Sequence, residues 1–279
     1  MSAIFTIVHL TLYEARRRKI LAAAVIGGAA FLVVFGVGVF FGVREIGASG
    51  EPFIAQQAIL TMLTLAGLYA GNFLAVLLAV LLPVDALSGE IDSGVMQTLA
   101  SKPVRRSDIV IGKWLGYGII AIGYLGLLFF GVLAIIWIAA GHVPVHPARG
   151  LGLMLLEVVL LVTVTIAGGT RLGTVANGIF ALGYFGLGFI SGLVEQIGVL
   201  AGIQSAKNVG IAVSLLSPTD ALWRMAAYHL QPSIVREIMD GPPMLAVVSV
   251  PNALMAGWSA ALLVVTLAWA TRSFARRTL

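Results

Sequence analysis

The chain has 279 residues, 59% of them hydrophobic and 10% charged, with a formal net charge of +5 and a mean hydropathy of +1.03. That composition excludes an ordinary soluble domain of this length, and the lack of cysteine excludes disulfides, thiolate metal sites and cysteine nucleophiles. Long charge-free stretches suit helices and not the short alternating strands of a transmembrane barrel, so the expected fold class is all-α: a polytopic membrane protein.

At the start, Ile4, Phe5, Val8, Leu12 and Ala15 recur at three- and four-residue spacing, which predicts an amphipathic helix lying in the membrane interface over residues 1–19. Arg16, Arg17, Arg18 and Lys19 follow, and the charge-free stretch Ile20 to Val43 is too long for a signal peptide and reads as an uncleaved first span. A crossing helix needs roughly 20 apolar residues. By that measure the second span lies within Pro52 to Val84, the third runs from Asp108 to Ala140, and the fourth from Leu151 to Gly168. The fifth covers Leu172 to Gln196 and the sixth Met244 to Thr271, giving about six spans in one transmembrane domain over 1–279.

Between the fifth and sixth spans, residues 197–243 form a long segment expected on the outer face. Asn208 to Thr219 is apolar but too short to cross, and Pro218 with Asp220 starts a second short helix through Leu222, Trp223, Met225 and Ala226. Re-entrant or interfacial helices are the expectation there. With six spans, twelve Lys and Arg fall on the side of the termini and five on the other, which predicts cytoplasmic N and C termini and a multi-pass protein of the inner, or plasma, membrane. The basic residues flank apolar spans and do not form one soluble patch, so the pI of about 9.8 does not point to nucleic acid.

The most informative polar stretch is DALSGEIDSGVMQTLASKPVRRSDIVIGKW, Asp85 to Trp114. Leu87, Ile91, Val95 and Leu99 recur every fourth residue, Glu90, Asp92 and Gln97 lie off that stripe, and Pro103 stops the helix. Ser107 and Asp108 then suit the start of the next helix. A short helix across the mouth between two spans, within a cytoplasmic segment 85–107, is a handle for a soluble partner.

Glu90, Gly94, Pro103, Arg106 and Lys113 stand at the spacings of a signature that this stretch resembles, that of permease subunits of ABC type-2 transporters. The sequence departs from it where relatives carry Gly-Thr, since Ser93 precedes Gly94 and Val95 follows. The resemblance implies that Leu87, Glu90, Ile91, Gly94, Val95, Leu99, Pro103, Arg106 and Lys113, with Arg171 in the turn after the fourth span, couple to a separate cytoplasmic ATP-binding cassette ATPase. It further implies that two permeases, as a homodimer or a heterodimer with a related chain, form an exporting pathway in the lipid bilayer. ATP and Mg would sit on the partner, and this chain would bind no cofactor.

No Walker phosphate loop is present: Gly112 and Lys113 are followed by Trp114, with no glycine five residues before Gly112. The chain is therefore expected not to be an enzyme. His9, His142, His146 and His229 are expected outside the spans; His142 and His146 are four apart, but Pro144 and Pro147 argue against one helical face, so no metal site is expected. Glu157 is the one carboxylate expected well inside a span; it either faces a substrate path or pairs with a polar residue, or else it snorkels to the outer end or is protonated. Glu195 and Asp85 read as interfacial. Gly38 and Gly42, Gly112 and Gly116, and Gly188 and Gly192 are close-approach pairs, serving packing within the chain or a dimer seam. The competing functions are an ion-gradient-driven secondary transporter, which needs several intramembrane polar groups, and a non-transport membrane assembly protein.

Overall fold

The computed structural model describes residues 3–48, 50, 52–89, 105–233 and 249–276. Among them the order is α1 (Ala3–Arg17), α2 (Lys19–Ala48), α3 (Phe53–Leu81), α4 (Arg106–Ala140), α5 (Pro147–Gly169), α6 (Thr174–Leu200), α7 (Gln204–Leu216), α8 (Thr219–Leu230) and α9 (Leu254–Ala275), with no strand. Six of these, α2 to α6 and α9, are long and apolar enough to cross a membrane.

Breaks fall where local chemistry demands them. Gly141, with φ of 64°, closes α4 by donating its N–H to the Trp137 carbonyl at 2.8 Å. Pro147 occupies the first turn of α5, where its missing N–H costs nothing. The last span begins at Leu254, ten residues later than its hydrophobicity suggested; 244–248 lie outside the described residues, and Ser249 to Ala253 are not helical. Pro251 donates no hydrogen bond there, and Asn252 Oδ1 accepts one from the Leu254 N–H at 3.2 Å. With 35 residues, α4 is about 52 Å long at 1.5 Å per residue, longer than a hydrocarbon core of about 30 Å.

Helix α5 is the hub, packed against α3, α4, α6, α8 and α9, whereas α2 lies at the rim against α1, α3 and α4. Close approach is set by small residues. A Cβ added to Gly112 would lie 2.7 Å from the Ile7 Cβ, and one on Gly116 2.8 Å from the Thr11 Cβ, so α1 rests directly on the backbone of α4. Gly188 and Gly192 in the same way admit Ser217, Thr219 and Asp220 from the start of α8 against α6. Both pairs thus serve packing within the chain; Gly38 faces nothing within 4 Å.

Two ends of the bundle follow from this connectivity. One, called the base here, gathers α1, residues 82–89, the start of α4, the 169–174 turn and the end of α9. The far end carries the 141–146 loop, α7, α8 and the start of α9.

Candidate functional site

The base is stitched by side chains that reach between segments distant in sequence. Beyond α3 the chain turns through Leu82 to Leu87, and the Arg18 guanidinium forms an ion pair with Asp85 and donates to the Leu82 carbonyl at 3.4 Å. Asn177 Nδ2 donates to the Val84 carbonyl at 2.8 Å and the Thr165 carbonyl at 2.9 Å, and the Ser88 and Thr174 hydroxyls are 2.9 Å apart. The first turns of α6 therefore hold the strand of chain leaving α3. In the neighbouring turn, Arg171 Nε donates to Ser273 Oγ at 2.7 Å and Thr170 Oγ1 to the same oxygen at 3.2 Å, tying the α5 to α6 turn to the end of α9. Trp114 Nε1 donates to Thr163 Oγ1 at 2.8 Å, linking α4 to α5. The result is a platform in which 82–89 is tied to α5 and α6, and the 170–171 turn to α9.

A second polar group lies inside the bundle. Glu157 is three helical turns into α5, 1% exposed, and receives a hydrogen bond from Asn72 Nδ2 of α3 at 3.0 Å. It points into the core and does not reach the outer end of the helix. Next to it, Arg224 of α8 donates through Nε to Asp220 at 2.8 Å and through Nη2 to Glu195 of α6 at 2.7 Å, with Ser249 Oγ on the other Glu195 oxygen at 2.6 Å. Glu195 was expected at an interface and Arg224 in an outer loop; both are buried, because each supplies the charge the other needs out of water. Asn72, Glu157 and Asp220 border one cleft together with the rings of Tyr69 and Trp223.

The sequence of residues 43–279 matches the ABC-2 family of transporter proteins. The chain belongs to that family. It is similar to two curated relatives, both described as probable ABC transporter permease protein NosY: that of Pseudomonas aeruginosa, 31% identical over 48% of this chain and 46% of the relative, and that of Stutzerimonas stutzeri, 34% identical over 34% of this chain and 33% of the relative. The aligned part thus spans less than half the length of either relative.

In this ABC-2 protein the residues singled out from the sequence fall in three places. Glu90, Ile91, Gly94, Val95, Leu99 and Pro103 lie outside the described residues. Arg106 opens α4, half-buried, and Arg171 stands exposed at the base, in the turn whose Gly169 lies beside Leu87. Leu87 and Lys113, expected as contacts, are buried within the chain at 1% and 3% exposure, out of reach of a partner as they stand. Glu157 sits apart, in the interior.

The histidines cluster at the far end, apart from His9 on α1. His142 Nδ1 lies 3.1 Å from Gln57 Oε1, an atom that only accepts, so Nδ1 carries the proton; burial pulls this imidazole below its usual range and keeps it neutral at pH 7. His146 pairs with His229, ring centroids 6.5 Å apart, and not with His142. Among the described residues no group of three or more His, Asp or Glu comes together to hold a metal.

Sequence reasoning missed Asn72, Asn177, Ser88, Asp220 and Arg224 as participants. Two signals were available: Asn72 is the lone asparagine of a long uncharged run, and Asp220 with Arg224 has the i, i+4 spacing of a helical ion pair.

Proposed function

We propose that the chain is the membrane-spanning permease subunit of an ATP-binding cassette exporter in the inner membrane, its base and both termini cytoplasmic. A separate ATPase docks on the segment 85–107 through Glu90, Ile91, Gly94, Val95, Leu99, Pro103 and Arg106, with Arg171 as a neighbouring contact and Leu87 and Lys113 as supports. ATP and Mg stay on that partner. The observation that supports this most is the convergence at one end of the 82–89 segment and the Arg171 turn, both tied by hydrogen bonds to several spanning helices. A cleft in the ATPase that moved either element would move the bundle. Two permeases, identical or related, complete the pathway, and Glu157 faces it.

Buried Glu157, Glu195 and Arg224, with Asp220 beside them, also suit a carrier driven by an ion gradient. One experiment separates the readings. The tagged chain, purified from its native membranes in mild detergent, should bring down an ATPase; Glu90→Arg should lose it, and Arg149→Glu, exposed at the far end, should keep it. Recovery of the well-folded chain without ATPase activity would discard the permease reading in favour of the gradient-driven one.

A further inference from the structure

The cleft between α3, α5, α6 and α8 carries more negative charge than its own bonds neutralise. Arg224 is shared between Asp220 and Glu195, and Glu157 has no basic partner among the described residues. A carboxylate so deep in protein and lipid requires a proton or a cation. The amide beside it supplies a second oxygen for a cation. Asn72 Nδ2 donates to Glu157 Oε2 at 3.0 Å, and Asn72 Oδ1, in a residue only 4% exposed, has no hydrogen-bond partner among the described residues.

We propose that Glu157 and Asn72 Oδ1 bind a small monovalent cation, an alkali-metal ion or a primary ammonium group, in this cleft. Asp220 on the same wall adds negative potential, although its Oδ2 already accepts from Arg224. Tyr69 and Trp223, edge to face with centroids 5.1 Å apart, offer aromatic surface that suits a weakly hydrated monovalent charge. A divalent ion would call for more anionic or imidazole ligands than converge here. The space open to a water-sized molecule, about 20 Å³, matches one ion or one ammonium head. In transport terms this gives the pathway a cationic ligand. That meaning rests on Glu157 facing the pathway, whereas the binding does not depend on it.

The test uses the full chain in lipid nanodiscs at fixed pH and ionic strength, with N-methyl-D-glucamine as the bulky reference cation. Na⁺, K⁺ and methylammonium are titrated separately while thermal unfolding and tryptophan fluorescence are followed. At least one should raise the unfolding midpoint saturably by about 3 °C or more. The alkali and ammonium arms identify which ion it is. Glu157→Gln should abolish the shift, and Asn72→Ala should weaken apparent affinity by about tenfold or more; the second variant serves if the first does not fold. No saturable shift in the wild type with any of the three, or an equal shift in both variants, overturns the proposal. If the same preparation still captures its ATPase, a failed titration removes the cation site and leaves the permease reading intact.

Discussion

Helices α2 and α5 are about equally apolar by sequence, yet 6% of the most apolar window of α2 is buried inside the chain against 67% for α5. In water such a difference would be written in hydrophobicity; in lipid it is not, because acyl chains solvate leucine as well as protein does. What marks α5 as the hub is its polar and small content. Thr163, Thr165, Gly168 and Glu157 are all buried there, and all four contact other helices. Exposed Val25, Ile26, Val33, Val34, Val37, Phe40 and Phe41 cover the face that α2 turns to the surroundings. Burial inside a membrane bundle therefore follows packing and hydrogen bonding, and the residues to perturb are the polar and small ones.

The largest expected effect lies in the buried charge group beside α5. Arg224→Leu strands the buried Glu195 and the mostly buried Asp220 and should cost about 3–5 kcal/mol, read as loss of stability in detergent or nanodisc unfolding. Wild-type stability in that variant would mean that the group is hydrated and that the interior contrast is overstated. Next comes Gly168→Leu on α5: its Cβ would lie 2.2 Å from Asn177 Oδ1, displacing the amide that holds the Val84 carbonyl, with a loss of about 1–3 kcal/mol and weakened ATPase capture. The smallest is Gly38→Leu on α2, where a Cβ meets nothing within 4 Å and the change should stay within about 0.5 kcal/mol. A loss there equal to that of Gly168→Leu would show that this face of α2 is packed against another chain, and the contrast would disappear.

The six spans were legible because a membrane imposes a length. Their edges were legible to a few residues wherever a local signal stood, as at Pro147 and Gly141, and least so before α9, where an apolar approach to Leu254 is interrupted by Pro251. The paired short helices after α6 were also readable: Pro218 and Asp220 begin α8 as their chemistry requires. Of the candidate site, Glu157 announced itself as a mid-span acid. Its partner did not, because Asn72 is 85 residues away and nothing local says which face of α3 meets α5. The same holds for Glu195 and Arg224, 29 residues apart, each of which reads as interfacial when taken alone.

By itself, then, the sequence determined that the chain crosses a membrane, about how often, where its helices stop, and to which family it belongs. These depend on local composition, on the roughly 30 Å of hydrocarbon to be crossed and on residues at fixed spacing. Tertiary structure alone decided which equally apolar helix became the hub, that Gly112 and Gly116 seat α1, and that Glu157 meets Asn72 beside a paired Arg224. Those outcomes turn on helix rotation and on contacts between distant segments. Hydropathy cannot encode either, since lipid and protein interior are nearly the same solvent for an apolar side chain and differ chiefly in the hydrogen bonds and charges they supply.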